Sequence, residues 1–419
     1  MQLVYKFILK DEAAKEKLLQ HCIIAKKLYN QALYVIRKEL EESNKWLSYY
    51  DLDKIMKVTT NLNGEINYKL LKSCNSQQVL MSLSKNVSSY IKSIKNWSKH
   101  KNKYKGKPNF PKYLKIKYKE LVYTTVGCTI KDGVIKFSKL ISVKIPYSDK
   151  YNFSNFNQVR VIPKHNGRIV EIQIIYQTKL QNKELEYNRF ASIDLGINNL
   201  VVLITDFSRP YIYSGKQLKS YNQFYNKQIA KYKSLLKTNN NKYNSNLITQ
   251  LHINRENYIS DIFHKISKNI VNLLVENKVG NLVVGSNKSW KDSIKLGNKT
   301  NQTFSYLPYS KLINYLKYKC ELAGIKFVET EESYTSKCDS FYLEKVSKHE
   351  IYSGKRIKRG LFQSSTRKLI NADVNGALNI LRKVVDDSYV KSKIIDRGLL
   401  FRPVKFSNVF EVYESYTRT

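Results

Sequence analysis

The chain has 419 residues, of which 73 are Lys or Arg and 34 are Asp or Glu, a formal net charge of +39. A compact fold repels itself at such a charge unless a polyanion neutralises it, so a phosphate backbone is the expected partner, rather than an acidic membrane or no partner at all. At 42% hydrophobic residues the chain can build on the order of two or three cored domains, and with no run of about 18 apolar residues no membrane span is expected.

The opening decapeptide, MQLVYKFILK, is too short and too charged for a secretion signal. The five cysteines (Cys22, Cys74, Cys128, Cys320 and Cys338) are scattered without a CxxC pair. Both features fit a reduced, cytoplasmic protein, nucleoid-associated if its host is bacterial. The 32 tyrosines fit base stacking and core filling equally.

The first ten residues alternate as a strand does. Leu18, Cys22, Ala25, Tyr29, Ala32, Ile36 and Leu40, spaced by three and four, predict a helix, and a second runs from about Gln77 to Trp97. The segment from Lys92 to Lys119 holds eleven lysines, no acid, and Trp97, Tyr104, Phe110, Tyr113 and Tyr118. Gly106 and Pro108 break any helix there. Basic residues interleaved with aromatics suit a nucleic-acid groove better than a solvated loop, which nominates Lys103, Lys105, Lys107, Lys112, Lys115 and Lys117 as ligands of a phosphate backbone. Residues 120–180 read as strands, with Asn166-Gly167 as a two-residue hairpin turn. The polar stretch from Gln181 to Asn188 is a domain boundary.

Beyond it, strands are expected near 190–194, 200–204 and 211–213. Two long helices follow, joined by the Asn-rich stretch 239–246. Then come a strand at 282–284, a helix marked by Leu312, Leu316 and Cys320 that closes at Gly324, a strand at 325–330, and a last helix from near Asp373. In the order β-β-β-α-α-β-α-β-α, helical crossovers make the later strands parallel to the first. The prediction is a mixed sheet with helices on its faces. Phe401, Val404 and Phe406 suggest that the tail packs.

Two carboxylates stand out. Asp194, in Ser-Ile-Asp-Leu-Gly-Ile-Asn-Asn, ends an apolar strand, where an acid is costly unless it is paired or binds a cation. Asp373, in Ile-Asn-Ala-Asp-Val-Asn-Gly-Ala, opens the last helix, where an acid also suits the helix dipole. Carboxylates brought together repel unless cations sit between them, and hard oxygen ligands suit Mg²⁺ or Mn²⁺. Two such ions about 4 Å apart can clamp the attacking and leaving oxygens of phosphodiester hydrolysis.

Asp194-Leu-Gly-Ile, Tyr334-Thr-Ser-Lys and Asn371-Ala-Asp-Val-Asn-Gly-Ala resemble the RuvC-like domain of TnpB/OrfB proteins, transposon-associated relatives of type V CRISPR effectors. Leu28-Tyr-Asn-Gln-Ala-Leu and Gly106-Lys-Pro-Asn-Phe-Pro-Lys resemble the family's N-terminal half. The resemblance implies an α/β, RNase H-like (RuvC) nuclease domain at 187–392, with a mixed sheet. It implies an oligonucleotide-binding-like β-barrel from residues 1–10 and 105–182, with a helical insertion at 11–104 and a tail at 393–419. It also implies cleavage of DNA under direction of a guide RNA, so that base pairing reads most of the sequence. No small-molecule cofactor and no membrane partner are implied.

The sequence departs from the family in two places. Family members carry a catalytic Glu at the end of the fourth strand, and here Asn281-Leu-Val-Val-Gly-Ser-Asn-Lys-Ser-Trp puts Gly285 there. Either the nuclease is inactive and binds under guidance as a repressor, or the acid has moved to Glu331 or Glu332 at the end of the next strand, about 4.8 Å away. Glu331 is the first choice for the third metal ligand beside Asp194 and Asp373, and Glu332 the alternative. A solvated turn, or pairing of both with Lys or Arg, is the bland account. Secondly, the family's two CxxC pairs are replaced by a single Cys338 and His349, too few for structural zinc. A basic insert at 333–370 stands there, with Lys355, Arg356, Lys358 and Arg359 as candidate phosphate ligands or a solvated loop. An unguided nucleic-acid binder on the same scaffold is a third functional reading.

Overall fold

The computed structural model describes residues 1–180, 183–240, 244–286 and 307–407. The chain divides into two compact units, Met1–Lys179 and Leu180–Thr419.

In the first unit, strand β1 (Gln2–Ile8) leads into helices α1 (Glu12–Ser43), α2 (Tyr49–Met56) and α3 (Ser73–Lys99). Six strands follow: β2 (Leu121–Thr124), β3 (Thr129–Lys131), β4 (Val134–Ser138), β5 (Ile141–Lys144), β6 (Phe156–Lys164) and β7 (Ile169–Gln177). Asp11 caps α1 by accepting from the Ala14 N–H at 3.0 Å. Its Leu18, Cys22, Ala25, Leu28, Ala32 and Leu33 are wholly buried, as their spacing requires. The short helix α2 has no counterpart among the elements expected from periodicity, since two turns are too few to show one.

The strands form two antiparallel sheets, β1-β7-β6-β2 and β3-β4-β5. The expected barrel is therefore not closed by hydrogen bonds among the described residues. Strands of three to five residues in the smaller sheet offer few ladder bonds, and the sheets meet through side chains such as Ile135, Phe137, Val159 and Ile172. Helices α1 to α3 belong to the same apolar cluster. The β6–β7 connection is also longer than expected. Lys164 pairs with Ile169, so the loop has four residues, with positive φ at His165, Asn166 and Gly167. A Cβ at Gly167 would stand 2.5 Å from the Tyr118 ring, so glycine is needed there for space as well as for φ.

The second unit is built on a six-stranded sheet. Strands β8 (Glu186–Leu195), β9 (Asn199–Ile204) and β10 (Tyr211–Ser214) run antiparallel in turn. Helices α4 (Lys216–Asn240) and α5 (Asn246–Glu276) lead to β11 (Val279–Gly285), and α6 (Tyr309–Ala323) leads to β12 (Lys326–Thr330). A small antiparallel sheet follows, of β13 (Lys355–Lys358), β14 (Leu361–Gln363) and β15 (Leu369–Asn371). Then come α7 (Ala372–Arg382), α8 (Asp387–Val390) and β16 (Val404–Phe406). The large sheet has the order β12-β11-β8-β9-β10-β16, with β11 parallel to both β8 and β12 and β16 parallel to β10. The mixed sheet predicted from the crossovers is present, and the tail adds an edge strand to it. Parts of two linking stretches, 181–182 and 241–243, lie outside the described residues, as do 287–306 and 408–419.

Strand parity sorts the core into two layers. Ala191, Ile193, Val201, Leu203, Leu282 and Val284 face α5 and α6. Val202, Ile204 and Val283 face the opposite way, onto Val374, Ala377, Leu378 and Leu381 of α7. Asp194 has the parity of Ser192, whose hydroxyl donates to the Ala377 carbonyl at 2.7 Å, so it lies on the α7 side.

Candidate active site

Parallel pairing of β8, β11 and β12 brings their C-terminal ends to one edge of the sheet, where open α/β sheets hold their ligands. Asp194 stands at that end of β8 and Gly285 at that end of β11. The chain leaving β12 after Thr330 carries Glu331 and Glu332. Asp373 lies in the first turn of α7. The cap of that helix is not Asp373 but Asn371, whose side chain accepts from the Asp373 and Val374 N–H groups at 2.9 and 3.3 Å. This leaves the Asp373 carboxylate free of capping duty, and it accepts from Asn199 Nδ2 at 2.7 Å. Gly376, one turn further on, lets α7 settle onto β8: a Cβ there would stand 3.0 Å from Asp194 Oδ2.

Asp194 feels the charges of both Asp373 and Glu332. The Asp194 carboxyl is held well above the usual range, first by burial and then by the charges of Asp373 and Glu332. The Leu195 N–H and the more distant Arg356 oppose this only in part. The residue as a whole keeps some exposed surface, while its carboxyl is enclosed. The Glu332 carboxyl is also raised, by burial and by Glu331. Tyr309, at the start of α6, has its hydroxyl raised by burial and then by Asp194 and Glu332, and it donates to the Gly196 carbonyl at 2.9 Å. Arg356 of β13 reaches Asp373 Oδ1 at 3.5 Å.

The two candidate glutamates part company. Glu331 is exposed, accepts from the Ser333 N–H and hydroxyl, and pairs with Lys383 at 3.1 Å. Those bonds hold its carboxyl below the usual range. Glu332 turns inward, and its Oε2 lies 3.2 Å from where a Cβ on Gly285 would be. The space that a side chain at position 285 would need is thus occupied in part by the Glu332 carboxylate. Among the described residues, no three His, Cys, Asp or Glu side chains are drawn tightly enough together to form a finished ligand set.

The six lysines Lys103, Lys105, Lys107, Lys112, Lys115 and Lys117 are all exposed. The aromatics between them are largely not. Phe110 packs on Tyr90 and Trp46 with ring centroids 5.1 and 6.0 Å apart, and Tyr118 joins the apolar cluster. Asn30 grips Leu114 through both its backbone groups, and Arg37 donates to the Pro111 carbonyl at 2.8 Å. The rings are anchors that strap the segment down with its lysines outward, where the sequence suggested stacking surfaces.

Lys355, Arg356 and Lys358 form the exposed edge strand β13, and Arg359 begins its turn into β14. The basic segment 355–359 is therefore a hairpin strand and its turn, exposed to solvent. The organiser of the insert is Asp339, which no sequence motif marks and which is wholly buried. That carboxylate accepts from Ser364 Oγ, the Ser365 N–H and hydroxyl, and the Phe341 and Tyr342 N–H groups, at 2.7–3.2 Å. Cys338 is buried beside it, with its thiol directed at the Ser347 carbonyl, and His349 Nε2 lies 2.7 Å from the Lys345 carbonyl.

No helix among the described residues is long and apolar enough to cross a membrane. The family described as a probable transposase (OrfB_IS605) matches residues 172–291, and the one described as Cas12f1-like, TNB domain, matches residues 309–380. The TnpB-like protein ORF457 of Acidianus two-tailed virus is 29% identical over 209 residues, 47% of this chain and 42% of that protein. The chain thus matches less than half of that relative's length. The fold is similar to that in the cryo-EM structure of a Cas12f1–sgRNA–target DNA complex, with a TM-score of 0.51 and 17% identity, over 88% of this chain and 82% of that one. The motifs, the two family matches and the viral relative agree, and over residues 172–291 and 309–380 the chain is similar to TnpB-like proteins.

Proposed function

We propose that this protein is a transposon-associated, RNA-guided DNA endonuclease whose metal ligands are Asp194, Asp373 and Glu332, the last having moved from the fourth strand to the turn after the fifth. The carrying observation is the placement of the Glu332 carboxylate in the space that Gly285 leaves, within electrostatic reach of Asp194. A divalent cation fits this donor set. Burial and the charges of Asp373 and Glu332 raise the proton affinity of the enclosed Asp194 carboxyl, a hard oxygen ligand, and Arg356 offsets this only in part. When bound, Mg²⁺ or Mn²⁺ would supply charge neutralisation and activation of water for phosphodiester hydrolysis. The chain's own residues do the positioning. Asn199 orients Asp373, Gly376 admits the close approach of α7 to Asp194, and Tyr309 fixes the turn at Gly196. Exposed lysines 103–117 and the β13 edge are suited to phosphate backbones of RNA and DNA.

A second reading, guided binding without cleavage, is favoured by one observation: the three carboxylates are not gathered into a finished ligand set. The test is cleavage of target DNA by protein purified with its co-expressed RNA. Mg²⁺-dependent cutting that falls at least ~10³-fold in Asp194→Ala, Asp373→Ala and Glu332→Gln, and far less in Glu331→Gln, supports the endonuclease with Glu332 as ligand. RNA-dependent binding with no cutting by the natural sequence supports the second reading.

A further inference from the structure

A glutamate inside a strand is held by the ladder on both sides. Glu332 has left the ladder, because β12 ends at Thr330, and a metal ligand on an open turn loses precision unless something else holds it. The residue that does so is Lys383, directly after the last residue of α7, with a side chain only 17% exposed. Its Nζ donates to the Glu331 carbonyl at 2.7 Å, to Glu331 Oε2 at 3.1 Å and to the Ser333 carbonyl at 2.9 Å. An ammonium has three protons, and here all three serve the residues on either side of Glu332. The carbonyl between them, that of Glu332, accepts from Thr335 Oγ1 at 2.8 Å, and Glu331 folds back onto the Ser333 N–H at 2.9 Å. The Thr330 carbonyl is tied to the Ser286 N–H at 2.9 Å. Each peptide carbonyl from 330 to 333 thus has a partner, and two of these bonds run to the residue that ends the helix carrying Asp373.

We infer that Lys383 and Glu331 form a positioning clamp, which fixes the turn so that the Glu332 carboxylate is presented towards Asp194. The clamp rests on the assignment of Glu332 as the third carboxylate. It gives Glu331, the acid nearest the strand, a role that excludes it from the ligand set: its carboxylate is the anchor that Lys383 grips. An isolated exposed ion pair contributes little; this one differs because the ammonium is mostly buried and two of its three acceptors are backbone.

The experiment measures Mn²⁺ affinity of the full-length protein, without nucleic acid, by electron paramagnetic resonance of the free ion, together with the melting temperature. Lys383→Met keeps the apolar stem and removes the ammonium. It should weaken Mn²⁺ binding roughly tenfold, the range expected for loss of a supporting group around a metal site, with Lys383→Arg recovering most of it. Glu332→Gln should weaken binding at least as much. If Glu332→Gln weakens binding and Lys383→Met leaves it unchanged, the clamp is wrong and the ligand assignment stands. If Glu332→Gln itself has no effect, the ligand assignment fails. Should Lys383→Met not fold, Glu331→Gln, at an exposed site, decides: an affinity lower by about threefold or more supports the clamp, and no change overturns it.

Discussion

Asp194 carries an energetic cost as long as no cation is near. Its carboxyl is enclosed and faces Asp373 and Glu332, so the folded state binds its proton more tightly than the unfolded chain does. A group with a raised folded pKa stabilises the fold below its unfolded value, near pH 4, and that contribution is lost as pH rises towards the folded value. In a chelator, the protein should therefore lose stability as pH rises above about 4, in part through this residue. Asp194→Asn, neutral throughout, should be more stable than the natural sequence at pH 8. Thermal melts at pH 5 and pH 8 in EDTA check this. Equal stability at pH 8 would mean that the acids do not strain one another. Mg²⁺ should stabilise the natural sequence and not the variant, because cation binding needs the deprotonated carboxylates.

At the scale of elements, α7 performs three tasks that follow from its placement over one face of the sheet. It carries Asp373, it approaches Asp194 through Gly376, and its Ile380 blocks the position where a fourth-strand glutamate would grow. A Cβ at Gly285 would meet Ile380 Cδ1 at 2.5 Å. The sequence-level puzzle of the missing acid is thus an exchange of space: Ile380 and Glu332 together use the volume of the absent side chain. It follows that Gly285→Glu alone should be destabilising, by about 1–3 kcal/mol from overpacking. In a Glu332→Gln background, Gly285→Glu combined with Ile380→Val, which removes the offending methyl, should restore part of the cleavage that Glu332→Gln alone abolishes. Target-cleavage rates of the three combinations decide it, and no recovery in the triple variant would show that an acid on β11 cannot serve this site.

For the molecule as a whole, the net charge of +39 is the dominant fact, and the two units carry it differently. In the first unit, Phe110, Tyr118, Asn30 and Arg37 anchor an otherwise irregular segment so that its lysines face outward. Phosphate contacts made by these lysines would be ionic and independent of sequence. Replacing Lys103, Lys105, Lys107, Lys112, Lys115 and Lys117 together by Gln should flatten the dependence of log K on log salt, by about 0.9 for each phosphate of duplex DNA that is no longer neutralised, with little change in melting temperature. Binding titrations at several salt concentrations measure the slope, and an unchanged slope would remove this segment from the interface.

Much of this arrangement is legible in the amino-acid order. The continuous apolar runs of β9 and β11 and the helical crossovers determine a mixed sheet, and the parity of Ser192 and Asp194 sends the acid to one face. The motifs around Asp194 and Asp373 mark both residues without any coordinates. Asn199 and Gly376 lie beside or inside those motifs, but nothing local assigns them a role, since each acts on a residue distant in sequence. The choice between Glu331 and Glu332 could not be made locally either. Adjacent residues leaving a strand differ only in the direction they point. That direction is decided by Lys383 pulling one way and by the room beside Gly285, which exists only because α7 packs where it does. Periodicity is a property of neighbours along the chain and can be read there. Which carboxylate faces Asp194 depends on side-chain volumes and hydrogen bonds from four separate elements, and only their packing together settles it.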